Sequence, residues 1–120
     1  MQNSYVKKIR KATTAKGAYD SMKMKLVNRQ NEGEILIEGR LDSNSAPEAE
    51  TIILDTVEKF DKLILNFAQL EYISSAGLRV LKKTHMAMKK KNGELSLKNV
   101  NEMVMEVFEM TGFAGLLHFE

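Results

Sequence analysis

Cysteine is absent from the sequence, and its absence excludes several kinds of chemistry. Without cysteine the chain can form no disulfide framework, no thiol nucleophile and no cysteine metal site. A chain of this kind fits a cytoplasmic protein, and we expect that location. With 120 residues it is long enough for one compact domain but not for two.

Long apolar runs are also missing. No run approaches the roughly 20 residues that a membrane-spanning helix needs, and no signal-peptide core follows the basic N-terminus. We therefore expect no membrane segment. The hydrophobic share of 43% and the charged share of 28% are those of an ordinary soluble globular protein.

The net charge of +2 is low and unevenly distributed. Residues 1–21 hold five Lys or Arg and one Asp, so the rest of the chain is slightly acidic. Nucleic-acid binding needs a basic face on the folded part, and we expect no nucleic-acid partner. We predict that residues 1–21 are a flexible basic leader and that residues 22–120 form the domain. An artificial extension and a basic anchor for acidic lipid or nucleic acid both remain open for the leader.

Catalytic motifs are scarce. His85 and His118 have no nearby carboxylate at metal-ligand spacing, so a structural role is favoured over a metal site for both. The G-x-S-x-G elbow, the Walker loop and the G-x-G-x-x-G fingerprint are all absent. We expect neither metal nor cofactor, and a small enzyme or ligand-binding domain is the least favoured function.

The most informative stretch is LEYISSAGLRVL, at residues 70–81. An apolar run precedes it at residues 62–67, and after Gly77 the apolar residues recur at helical spacing. The pattern therefore predicts that a buried strand ends and a helix begins at the small residues Ser74 to Gly77. The N-terminus of a helix favours negative charge, so a phosphate on a serine here would be tolerated.

Periodicity before this stretch predicts a hairpin and a helix. Alternation at residues 22–28 and 34–38 predicts two antiparallel strands. Ser45 and Glu48 have the spacing of a capping box that would start an amphipathic helix. Three consecutive apolar residues within 62–67 are typical of a central strand covered on both faces.

Periodicity after the stretch predicts three more elements. Residues 94–98 alternate as a strand, Asn99 and Glu102 can cap a following helix, and residues 116–119 form a short final strand. The expected order is ββαβαβαβ. The fold class is therefore α/β, a single domain in which helices pack on a small mixed sheet through parallel crossovers.

Two segments resemble one known family. LEYISSAGLRVL resembles the signature of STAS domains, specifically the small bacterial anti-sigma-factor antagonists. Its residues 75–78 match the last four positions of the family's Asp-Ser-(Ser/Ala/Thr)-Gly-Leu turn, whereas Ser74 stands where the family usually has aspartate. Residues 39–42, Gly-Arg-Leu-Asp, resemble the family's Gly-x-Leu/Ile-Asp loop.

The resemblance implies a set of site residues. It makes Ser75 the serine that a partner kinase phosphorylates, with Ser74 as the alternative. Asp42 would contact the partner or shape the site, while plain loop and capping roles for residues 42–44 stay equally open. Gly77 would allow close packing or close approach of a partner. The expected partner-binding residues are Asp42, Ser43, Asn44, Ser74, Ser75, Ala76, Gly77 and Arg79.

The function that the resemblance implies is that of an anti-sigma-factor antagonist, not an enzyme. The chain, as a monomer or weak dimer, would bind an anti-sigma factor serine kinase and free a sigma factor. Phosphorylation of Ser75 would switch it off, and a PP2C-type serine phosphatase would restore it. The alternative is a constitutive STAS scaffold or accessory subunit of a larger complex, which works without phosphorylation.

Overall fold

The computed structural model describes residues 4–9 and 22–120. In these residues a five-stranded mixed sheet carries four helices. The strands are β1 Ser4–Ile9, β2 Met22–Arg29, β3 Glu32–Leu41, β4 Lys62–Ile73 and β5 Glu94–Lys98. The helices are α1 Ala46–Val57, α2 Ser75–Lys90, α3 Glu102–Thr111 and α4 Phe113–Leu116. The predicted α/β class with a mixed sheet is confirmed.

The sheet has the strand order β1-β2-β3-β4-β5. Neighbours β1–β2 and β2–β3 are antiparallel, whereas β3–β4 and β4–β5 are parallel. The predicted hairpin is present: Arg29 pairs with Glu32, and Gln30 takes a positive φ of 54° in the tight turn between them. The helices α1 and α2 make the two parallel crossovers, as connections of this kind require.

The core lies between the sheet and the helices. Cross-strand partners such as Met24 and Ile37, and Ile35 and Leu65, are buried on the face that the helices cover. The central strand β4 is buried on both faces over residues 63–65, because Ile64 on the opposite face is only 3% exposed. The prediction of a central strand covered on both sides is thereby confirmed.

The leader differs from the expectation over residues 4–9. These residues form β1 and pair with β2 in a register that places Val6 opposite Val27. Without β1, the backbone N–H and C=O groups along the outer edge of β2 would have no strand partner. An added strand pairs with these groups through its backbone, so its side chains need not alternate. The expectations for residues 1–3 and 10–21 lie outside the described residues, and the boundary at residue 22 stays a prediction.

The C-terminal segment also differs. Residues 113–116 form α4, and in place of a final strand only Phe119 makes a parallel bridge, with Leu97. The rings of Phe113 and Phe119 lie 6.4 and 5.9 Å from the buried ring of Phe108, so both ends of the segment pack on one aromatic centre. This packing favours a short helical turn over an extended strand. The predicted order therefore holds from β2 as far as α3.

The cap of α3 is Asn101, not the predicted Asn99. The Asn101 side chain accepts a hydrogen bond from the backbone N–H of Val104 at 2.8 Å and donates one to the carbonyl of Leu70 at 3.0 Å. Asn99 instead takes a positive φ of 61° in the preceding turn. Capping needs an extended residue directly before the helix, and the sequence pattern alone did not separate the two asparagines.

A buried carboxylate lies on the face of the sheet opposite the helices. Glu34 of β3 is 6% exposed, and it accepts hydrogen bonds from Asn66 of β4 at 2.8 Å and from Arg29 of β2 at 3.2 Å. The Nζ of Lys98 of β5 lies 3.4 Å away. Burial by itself raises the pKa of Glu34, but the hydrogen bonds and the Lys98 charge outweigh it and hold the pKa below its ordinary value. Four neighbouring strands thus share one ionised carboxylate.

This cluster predicts a pH dependence of stability. Because the pKa of Glu34 is lowered in the folded state, its contribution is fully present above the ordinary glutamate pKa of 4.5 and is lost as the pH falls through the folded pKa. In urea unfolding across this pH range, wild-type protein should lose more stability on acidification than Glu34→Gln. Equal slopes for the two proteins would contradict this assignment.

Candidate functional site

The candidate site forms where two parallel strands end side by side. Leu41 at the end of β3 pairs with Ile73 at the end of β4, so the segments that follow these strands leave the sheet at the same edge. The backbone N–H of Ser74 donates to the carbonyl of Leu41 at 2.9 Å. The loop after β3 and the start of α2 are therefore neighbours, although more than thirty residues separate them in the sequence.

Ser74 is the N-cap of α2. Its backbone is extended, its Oγ accepts from the N–H of Ala76 at 3.2 Å and of Gly77 at 3.5 Å, and its carbonyl accepts from Leu78 at 2.9 Å. A serine in this position satisfies N–H groups that have no partner within the helix. The hydroxyl of Ser74 is thus already in use.

Ser75 is the first residue of α2, and its situation is different. It is exposed, and within residues 22–120 its hydroxyl has no hydrogen-bond partner. The first turn of α2 contains no acidic residue that would already occupy the positive end of the helix dipole. Of the two adjacent serines, Ser75 is the one with a free and accessible hydroxyl.

Gly77 allows α2 to start in contact with the ends of β3 and β4. A Cβ added there would lie 2.7 Å from the carbonyl oxygen of Leu41 and 2.7 Å from Cγ1 of Ile73. Distances this short are not compatible with a side chain unless the backbone moves. Of the two roles considered for Gly77, close packing is therefore the one that the fold uses.

Asp42 organises the loop that follows β3. Its Oδ1 accepts from the backbone N–H groups of Asn44 at 3.0 Å and Ser45 at 3.2 Å, and its Oδ2 lies 3.5 Å from Nε of Arg40. The Arg40 guanidinium in turn lies 4.6 Å from the ring centroid of Tyr72. Asp42 therefore has the loop-shaping role, and a direct contact with a partner stays a prediction.

Ser45 does not form the predicted capping box with Glu48. Its side chain is fully buried, donates to the carbonyl of Arg40 at 2.7 Å and accepts from the N–H of Asp42 at 3.0 Å. Ser45 keeps the N-cap position of α1 through its backbone alone: its carbonyl accepts from the N–H of Ala49 at 3.0 Å, while its side chain makes no cap hydrogen bond. Sequence reasoning missed the role of this side chain in the loop, although Asp-x-Asn-Ser is a recognisable Asx-turn sequence.

An open groove of about 390 Å³ joins the loop to α2. Ser43 and Pro47 line its α1 side, and Ala76 and Arg79 line its α2 side. The Glu50–Lys83 ion pair, 3.0 Å long, crosses between the two helices within the same groove. The structure thus brings together the loop at 42–44 and the helix start at 74–79, while the roles of these residues in binding stay predictions.

Metal clusters, histidines and membrane-spanning helices were the other candidate features in the described part of the chain. Among residues 4–9 and 22–120, no three carboxylate or imidazole side chains cluster so as to hold a metal ion. His85 and His118 line one shallow depression between α2 and the C-terminal segment. None of the described helices has the length and apolar content that crossing a membrane would demand.

Comparison with a family model gives a clear match. The model described as the STAS domain matches residues 23–120. This range begins one residue after the start of β2 and extends to the end of the chain.

Two curated relatives and one solved structure are similar to the chain. BtrV of Bordetella bronchiseptica, named as a candidate anti-sigma factor antagonist, is 33% identical and is covered over 83% of its length and 78% of this chain. The anti-sigma-B factor antagonist of Bacillus subtilis is 30% identical and is covered over 84% of its length and 74% of this chain. The Bacillus cell fate determinant SpoIIAA in its phosphorylated form has the same fold, with a TM-score of 0.64, 18% identity and coverage of 90% of that chain and 82% of this one.

The close contact at Gly77 predicts the effect of adding one methyl group. Gly77→Ala should lower the free energy of unfolding by about 2 kcal/mol, because the steric cost exceeds the gain in helix propensity. Urea unfolding followed by circular dichroism measures the difference. Gly115→Ala is the matched control, since a Cβ at Gly115 would meet nothing within 4 Å; an equal loss in both variants would refute the packing role.

The two serines should differ in their effect on stability. Ser74→Ala removes the cap of α2 and should cost about 1 kcal/mol, while Ser74→Asp should retain the cap because aspartate is an equally good N-cap. Ser75→Ala should change the free energy of unfolding very little, since its hydroxyl has no partner among the described residues. Thermal unfolding of the three variants measures this, and the reverse ranking would exchange the roles of the serines.

Proposed function

Because this chain belongs to the STAS domain family, we propose that it is an anti-sigma-factor antagonist. In this proposal it binds an anti-sigma factor of the serine-kinase type and so frees a sigma factor for transcription. Phosphorylation of Ser75 by that kinase ends the binding, and a PP2C-type serine phosphatase restores it. The chain acts in the cytoplasm as a binding partner and performs no catalysis of its own.

The observation that carries the proposal is the free hydroxyl of Ser75 at the start of α2. A kinase needs an exposed nucleophilic oxygen, and Ser75 offers one next to the groove lined by Ser43 and Arg79. Ser74 is a poorer acceptor because its oxygen already binds two backbone N–H groups. The relatives named anti-sigma factor antagonists support the proposed class of function.

Ser74 in place of the family's aspartate is compatible with the switch. An aspartate at an N-cap accepts hydrogen bonds from the first backbone N–H groups of the helix, and Ser74 accepts the same kind of bonds. The replacement therefore removes one negative charge and keeps the local hydrogen bonding. This favours Ser75 over Ser74 as the modified residue.

The proposed switch works through charge in an interface. A phosphate adds about −1.5 to −2 charges and three strong acceptor oxygens at neutral pH. Burying that charge against a partner surface without matching cations is costly. A penalty of about 3 kcal/mol already weakens binding more than a hundredfold. The fold itself need not change.

Phosphate mapping tests the switch. The protein is purified from its native host under several growth conditions, as wild type, Ser74→Ala and Ser75→Ala, and its peptides are examined by mass spectrometry. We expect phosphate on Ser75 in wild type and in Ser74→Ala, and none in Ser75→Ala. If the detected peptides include both serines and neither carries phosphate in any condition, the switch is refuted. The alternative of a constitutive STAS scaffold, which works without phosphorylation, is then favoured.

Partner retention tests the binding step. The protein carrying Ser75→Ala should retain the anti-sigma kinase on copurification, and the protein carrying Ser75→Asp should lose it. Thr51→Asp, which adds the same charge at an exposed position of α1, is the control and should retain the partner. Equal retention by Ser75→Ala and Ser75→Asp would contradict the proposal.

A further inference from the structure

Two helices of the domain expose surfaces of opposite charge. Helix α2 contains no acidic residue, and helix α3 contains no basic one. The exposed cations of α2 are Arg79, Lys82, Lys83, Lys89 and Lys90, and the exposed anions of α3 are Glu102, Glu106 and Glu109. The low net charge of the chain therefore conceals two separate charged faces.

The exposed face of α3 is also apolar to an unusual degree. Met103 is 56% exposed and Met110 is 81% exposed, and half-buried Val107 lies between them. The spacing of four and then three residues places all three on one stripe of the helix. The three glutamates of α3 repeat the same spacing on the adjacent stripe. Exposed apolar side chains with a charged border are typical of an interaction surface.

The exposed face of α2 has the complementary composition. Arg79, Lys82, Met86 and Lys89 follow one another at helical spacing, and Met86 is 58% exposed in the middle of the cations. Within the described residues none of these three cations has an ion-pair partner. Lys83, by contrast, is already paired with Glu50 at 3.0 Å.

We propose that the face of α3 formed by Met103, Val107, Met110 and the three glutamates docks on the basic face of α2 in a second copy of the chain. The second copy is the occupant that the charges favour, because it carries the matching cations and an exposed methionine at the centre of them. Both faces are solvent-exposed helix surfaces of the same domain, so the partner surface needs no rearrangement to form. The association requires neither phosphate nor an anti-sigma factor.

The geometry of such a contact determines how it behaves. Two different surfaces meet, so the contact is heterologous and adds copies head to tail instead of closing a symmetric dimer. One helix face on each side is smaller than a standard protein interface, so the association is weak and depends on concentration. Its charge pairs are exposed, so salt weakens it.

Sedimentation velocity of the full chain tests the proposal. At low ionic strength the weight-average sedimentation coefficient should rise with protein concentration, and high ionic strength should abolish the rise. Glu106→Lys and Lys82→Glu should each weaken the association about tenfold. An equimolar mixture of these two variants should restore it, because every contact between unlike variants then joins opposite charges. The unaltered α2 face of Glu106→Lys meets the unaltered α3 face of Lys82→Glu, and at the other contact the two reversed charges meet. Met110→Ser should weaken it at low ionic strength without a change in charge.

Asp55→Lys is the matched control. It makes the same change in net charge as Glu106→Lys, at an exposed position of α1 outside both faces, and it should associate as wild type does. Three results would each overturn the proposal: a wild-type chain that stays monomeric at every concentration at low ionic strength, a mixture of the two charge-reversed variants that fails to associate, and a loss in Asp55→Lys as large as in Glu106→Lys.

Discussion

The site depends on one close approach, between the start of α2 and the ends of β3 and β4. The helix can begin there only because residue 77 has no side chain, since the carbonyl oxygen of Leu41 and the side chain of Ile73 occupy the space that a Cβ would need. This contact brings the cap of α2 within hydrogen-bond distance of the end of β3. Because of this contact, the loop after β3 forms one surface with Ser74 and Ser75.

The two serines show how position divides one residue type into two roles. Ser74 has an extended backbone just before the helix, so its oxygen turns inward to the N–H groups of the first turn. Ser75 already has helical backbone, and its hydroxyl remains unused among the described residues and exposed to solvent. A residue that the fold does not need is free to carry a modification without loss of stability. This is the physical basis for preferring Ser75 as the switch.

The loop opposite the serines is ordered by its own hydrogen bonds. The carboxylate of Asp42 accepts from the backbone of Asn44 and Ser45, and the buried hydroxyl of Ser45 bonds to the backbone of Arg40 and Asp42. A surface that is ordered before binding loses less entropy when a partner docks. The charged faces of α2 and α3 would meet through exposed charge pairs, which salt screens, so their contact is expected to be weaker and more sensitive to salt.

The sequence by itself determined the elements that depend on local pattern. Residues close together in the chain are enough to predict the alternating strands and the apolar run of β4. They are also enough for the strand-to-helix transition at the serines and for the STAS resemblance. The three-dimensional structure alone decided the features that the local pattern leaves open. The side chain of Ser45 bonds to the backbone of Arg40 and Asp42 and does not cap α1, although Ser45 keeps the N-cap position. Residues 116–119 form only the single bridge of Phe119, because Phe113 and Phe119 both pack on Phe108. The pairing of residues 4–9 with β2 is of the same kind, since a strand edge some twenty residues away in the sequence leaves no mark on the local pattern.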